Sequence, residues 1–98
     1  MRICSLDGER ITDREVLHDI LAAELRFPDW YGRNLDALYD CLTDIREETE
    51  VRISQRTIME RNLGGYSQLL LKVLQDASKE NSYIHLKIVE KTNKSDDY

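Results

Sequence analysis

Three carboxylates recur at a fixed interval. Asp36, Asp40 and Asp44 stand four residues apart, so on a helix they form one acidic ridge, with Tyr39 beside it. Carboxylates fixed on a rigid helix can do three kinds of chemistry. They can pair with the arginines and lysines of another molecule, hold a divalent cation, or carry protons as general acids and bases. The ridge is also a poor way to build a helix: aspartate has low helix propensity, and like charges at i,i+4 cost roughly 0.2–0.5 kcal/mol per pair. Asp36, in the first turn, regains something from the helix dipole, whereas Asp40 and Asp44 lie too far along to gain as much. Trp30 and Tyr31, two large aromatics in a polar loop directly before the ridge, are a second oddity. A local stability cost beside unburied aromatics points to a surface made for a partner. Charged helix faces are ordinarily just solvated, and loop aromatics ordinarily fold back on the core, so composition alone leaves that plainer reading open.

The elements that must position these residues are legible locally. Residues 27–33 begin as a loop, because Pro28, the only proline, disfavours helix at Phe27 and Gly32 permits backbone angles that other residues resist. Asn34 is placed to cap a helix, along which Leu35, Leu38, Cys41, Leu42 and Ile45 fall at helical spacing and should face a core.

The whole chain sets wider bounds. Ninety-eight residues suffice for one domain with a modest core, expected over residues 1–90 with a polar, frayed tail at 91–98. The net charge of −5 argues against nucleic acid as a direct ligand, because phosphate binding needs clustered Lys and Arg. It suits a basic partner, including a protein that itself binds nucleic acid. Cys4 and Cys41 each sit in an apolar pattern, no Cys-x-x-Cys occurs, and both read as buried, reduced thiols. The N-terminus has no charged-then-apolar signal sequence and no apolar run approaches a membrane span, so a cytoplasmic protein is expected.

Taken in order, residues 1–6 read as a strand, apolar in part on both faces, as for an interior parallel strand. Asp7-Gly8 is a turn. Thr12-Asp13-Arg14-Glu15 reads as a capping box with Thr12 at the cap, opening a helix to about Arg26 whose buried stripe is Val16, Leu17, Ile20, Leu21 and Leu25. His18 falls off that stripe and is expected on the surface. After the central helix and the charged connection 46–50, residues 50–54 make a short strand and Ser54 caps a short helix over about 55–61. Leu63-Gly64-Gly65 breaks the chain. A longer helix over about 66–80 presents Leu69, Leu70, Val73, Leu74 and Ala77, and Asn81 ends it in the left-handed conformation. Residues 83–89 alternate as a strand, with Ile84, Leu86 and Ile88 on one side and Tyr83, His85, Lys87 and Val89 on the other. Strands separated by helices imply an α/β fold with a small three-stranded parallel sheet, covered mainly on one face by about four helices.

The central stretch also resembles a known family. Pro28-Asp29-Trp30-Tyr31-Gly32-Arg33-Asn34-Leu35-Asp36-Ala37-Leu38-Tyr39-Asp40-Cys41-Leu42-Thr43 is similar, without a gap, to the central motif of the barstar family, the small intracellular inhibitors of secreted bacterial ribonucleases. Weaker similarity extends over about residues 1–90. The resemblance implies an immunity or antitoxin-type inhibitor whose central helix and preceding loop plug the active site of a basic, extracellular-type ribonuclease, in a 1:1 complex. Carried over by position, Asp36 and Asp40 stand where substrate phosphates would bind and Trp30 stacks in the nucleotide cleft. Gly32 and Asn34 shape the loop. Tyr39 replaces a tryptophan of the pattern, Asp44 replaces a glycine and extends the ridge, Ile45 replaces another tryptophan, and Asp76 matches an acidic position usually held by the longer glutamate. These departures bear on which ribonuclease is the target.

Two other function classes compete. An enzyme could use the paired carboxylates, but no phosphate loop, Ser/His/Asp set or His-rich metal spacing accompanies them, so no catalytic residue, metal or cofactor is expected. A non-inhibitory binding module of the same fold, regulating another basic protein, remains open on the sequence.

Overall fold

In the computed structural model, residues 1–89 are described; the expected tail at 91–98 lies outside them. The order is β1 (Arg2–Asp7), α1 (Arg14–Leu25), α2 (Leu35–Thr43), β2 (Thr49–Ser54), α3 (Arg56–Leu63), α4 (Gly65–Glu80) and β3 (Ile84–Val89). The three strands form one parallel sheet in the order β1-β2-β3, with Cys4 beside Val51 beside Leu86, and Leu6 beside Ile53 beside Ile88. This is the small α/β architecture expected from the alternation of strands and helices.

One face of the sheet carries the core. Cys4, Leu6, Thr49, Val51, Ile53 and Ile84 are buried there, where α1 packs on β1 and α4 on β3. The opposite face, with Ile3, Ser5, His85 and Lys87, is exposed. This one-sided cover corrects the reading of the first strand. β1 is an edge, and β2 is the interior strand. Met1 and Ile3, which made both faces of β1 look apolar, are exposed, while the polar look of β2 comes from Glu50 and Arg52 facing the uncovered side, where they pair with each other.

Several ends fall elsewhere than expected. Asp13, not Thr12, caps α1: its backbone is extended and its carboxylate accepts from the Val16 N–H at 2.9 Å. Ser54 does not cap α3, because it is still in the sheet, paired with Asp7 and Val89. The N-cap is Gln55, in the left-handed region with no side-chain cap bond. Gly8 packs against that residue so closely that a Cβ would meet the Gln55 carbonyl at 2.0 Å, so the turn after β1 admits only glycine. Along α4 the buried stripe is Ser67, Leu70, Leu71, Leu74 and Ala77; Leu69, expected on the core face, is instead 56% exposed, because three consecutive leucines fit two neighbouring phases of the helix. Asn81 is extended rather than left-handed. Its side chain donates to the Leu42 and Ile45 carbonyls at 2.9 and 2.8 Å, joining the end of α4 to the end of α2, which packs on α4.

Candidate partner-binding site

The loop before α2 is held by local chemistry at both ends. Arg26 terminates α1 in the left-handed conformation, and Phe27 N–H returns to the Ala22 carbonyl. Tyr31 N–H closes a turn on the Pro28 carbonyl at 2.9 Å. Arg33 is again left-handed, with φ of 58°. Two non-glycine residues at positive φ thus bracket the loop, a conformation that needs external support. Gly32 does not supply the unusual backbone angle; Arg33 does. What Gly32 supplies is room, since a Cβ there would lie 3.2 Å from the Ala37 Cβ. Asn34 behaves as expected, accepting from the Ala37 N–H at 2.8 Å to start α2.

The two loop aromatics part company. Trp30 is 80% exposed. Tyr31 is 6% exposed, correcting its expected place on the surface: its ring packs on Phe27 and its hydroxyl meets His18 Nδ1 at 2.6 Å. His18 in turn is 2% exposed, not a surface residue, and its Nε2 meets the Tyr66 hydroxyl at 2.9 Å. Position 18 borders the stripe of Leu17 and Leu21, and it becomes interior once the loop and α4 bring a tyrosine over each ring nitrogen. Burial lowers the His18 pKa, as does the Arg33 guanidinium, against the opposing pull of Asp19. Burial also raises the pKa of Tyr31 and of Tyr66. Arg33 donates to the Glu15 carbonyl and pairs with the Asp19 carboxylate, tying the loop to α1 a second time.

The ridge itself is open. Asp36, Asp40 and Asp44 are exposed, with Asp44 as the C-cap of α2, so the third carboxylate sits at the helix end. Among the described residues none of the three makes an ion pair, whereas Asp19, Glu47, Glu50, Glu60 and Asp76 all do. Asp76 is on α4 and is held by Lys72 at 3.3 Å. Tyr39 is half-buried and lines a shallow cleft with Thr43, Arg46 and Tyr83. A second cleft, of about 250 Å³, lies between Phe27, Trp30, Cys41, Asp44 and Ile45. Cys41 is free and half-buried rather than buried, because its side of α2 meets this cleft; its thiol pKa is raised by burial and then by Asp44 and Asp40. Cys4 is free and buried, its thiol pushed up to about 12 by burial.

The structure therefore brings Trp30, Gly32, Asn34, Asp36, Tyr39, Asp40 and Asp44 onto one loop-helix unit, with Asp76 on the helix behind. Sequence reading missed the support: His18, Asp19, Tyr31, Arg33 and Tyr66. A histidine beside a helix stripe, together with tyrosines whose hydroxyls need partners if buried, was the available signal. Among the described residues no cluster of three or more His, Cys, Asp or Glu is placed to hold a metal ion, and no helix is long and apolar enough to cross a membrane.

A family model described as "Barstar (barnase inhibitor)" matches residues 1–91. The chain is 42% identical over 81 residues to the protein named "Putative ribonuclease inhibitor YrdF" of Bacillus subtilis (strain 168), covering 82% of this chain and 89% of that protein.

Proposed function

Because the chain belongs to the barstar family, whose members inhibit ribonucleases rather than catalyse reactions, we propose that it inhibits a basic ribonuclease by placing α2 and the preceding loop in the enzyme's active site. The observation that carries this reading is the row of exposed carboxylates Asp36, Asp40 and Asp44, without ion pairs among the described residues, beside an exposed Trp30. A ribonuclease collects Arg, Lys and His to bind a phosphodiester. Carboxylates fixed on a helix offer those groups the same charge without a bond to cleave. Asp40, in the middle of the ridge, takes the central position, with Asp36 in support and Asp44 at the rim. Trp30 is the aromatic anchor for the nucleotide cleft. Gly32 and Asn34 set the loop's approach, Tyr39 flanks Asp40, and Asp76 adds charge from α4.

The test is inhibition and competition with a basic secreted ribonuclease. Ribonuclease activity should fall to zero at one equivalent of protein, and a mononucleotide should weaken binding in proportion to its occupancy of the active site. If inhibitor and mononucleotide bind together without competition, the phosphate-mimic reading is wrong. The same assay answers the alternative of a non-inhibitory module, which would bind a basic protein and leave RNA cleavage intact.

A further inference from the structure

We propose that His18 is a positioning residue for the partner-binding loop: its imidazole bridges the Tyr31 and Tyr66 hydroxyls and thereby fixes the backbone that presents Trp30. The inference rests on the functional reading above for the loop's role, although its geometry does not. Past the Arg26 N–H that ends α1 on the Ala22 carbonyl, residues 27–33 donate few backbone hydrogen bonds, namely Phe27 to Ala22 and Tyr31 to Pro28. They are bracketed by two arginines at positive φ. Such a segment keeps one conformation only if side chains hold it. Tyr31 is the inward side chain, and its neighbour Trp30 is the outward one, so fixing the first fixes the direction of the second.

The bridge joins three elements. His18 comes from α1, Tyr31 from the loop and Tyr66 from the first turn of α4, separated in sequence by 13 and 48 residues. A neutral imidazole donates from one ring nitrogen and accepts at the other, so one tyrosine hydroxyl accepts and the other donates, and the three groups satisfy one another only together. Tyr66 is itself oriented by the Arg14 guanidinium, 4.3 Å from its ring centroid. The pair of Arg33 with Asp19 lies at the other end of the loop, leaving Tyr31 as the anchor nearest Trp30. Neither His18 nor Tyr66 is on the acidic ridge. Their effect on a partner is to remove loop freedom that binding would otherwise have to remove.

The experiment uses the chain's only tryptophan as its reporter. Tyr31→Phe and Tyr66→Phe keep the rings and delete one hydroxyl each. In the free protein, fluorescence anisotropy decay should show faster local motion of Trp30 in both variants, more in Tyr31→Phe. Affinity for the ribonuclease should fall about threefold to tenfold in each. In a Trp30→Ala background the same two changes should leave affinity unaltered, because no anchor remains to be positioned. Unchanged Trp30 motion, or equal losses with and without Trp30, would overturn the proposal and make His18 a core residue only. The anisotropy measurement needs no partner, so failure to find ribonuclease binding would count against the functional reading and leave this one to be decided separately.

Discussion

A carboxylate contributes to a complex according to how completely the partner buries it, and that orders the three aspartates. Asp40 is flanked one turn away by Asp36 and Asp44, so it lies deepest under any partner covering α2. Asp40→Ala should raise the dissociation rate and weaken the complex by about 2–5 kcal/mol, because the partner's cations would be left buried without a counter-charge. Trp30→Ala should cost about 2 kcal/mol or more in binding and less in stability, since the side chain is 80% exposed in the free protein. Surface plasmon resonance paired with denaturant melts separates the two quantities; a large stability loss for Trp30→Ala would make it a core residue. His18 sets a pH dependence. Its folded pKa is lowered by burial and by Arg33, so the unfolded chain takes up a proton more readily than the folded one. This contribution to stability is whole above the unfolded value of about 6.5 and is lost as pH falls below it towards the folded value. His18→Gln should flatten the urea midpoint between about pH 7.5 and pH 5.5 relative to wild type, and parallel curves for the two proteins would contradict this.

At the scale of elements, α2 is short and carries its own start signal. Its nine residues hold Leu38 and Leu42 in the core, while the Asn34 cap satisfies the Ala37 N–H and the Asn34 amide donates back to the Gly32 carbonyl. Asn34→Ala should therefore lower stability by about 1 kcal/mol and also loosen the loop. Leu38→Ala should lower stability by about 2–5 kcal/mol through the cavity it leaves. Denaturant unfolding checks both, and only the Asn34 variant should lose affinity per folded molecule. This element was readable from sequence because everything that defines it is local: the cap, the period of Leu35, Leu38 and Leu42, and the interval between aspartates. The acidic ridge was legible for the same reason. The supporting shell was not. His18 meets Tyr31 and Tyr66 across 13 and 48 residues, and no period in a sequence encodes such a meeting. The central place of β2 was hidden because helices cover only one face of the sheet, so an interior parallel strand alternates like an edge. The cap of α1 shifted by one residue because Thr12 and Asp13 can both cap, and only the backbone decides between them.

The molecule as a whole is acidic, and α2 presents three of its carboxylates in one exposed row. Of the net −5, the exposed row Asp36, Asp40 and Asp44 is free of ion pairs among the described residues, while Arg2, Arg33, Arg52, Arg56 and Lys72 are each engaged with a carboxylate. A basic partner approaching α2 therefore meets a local concentration of negative charge before any short-range contact is made. Such a field is screened over about 8–10 Å at physiological salt, which is less than the separation at which steering begins. Association with a basic ribonuclease should accordingly slow by about tenfold or more between low salt and half-molar salt, with the dissociation rate changing much less. Asp44→Ala isolates this effect. Asp44 caps the end of α2 at the rim of the site, so its loss should lower the association rate and its salt dependence while leaving dissociation nearly as in wild type. Stopped-flow association at several salt concentrations distinguishes it from Asp40→Ala, whose effect should persist at high salt because it acts on a charge pair from which water has been excluded. If wild-type association were insensitive to salt, the row of carboxylates on α2 would have no part in partner capture.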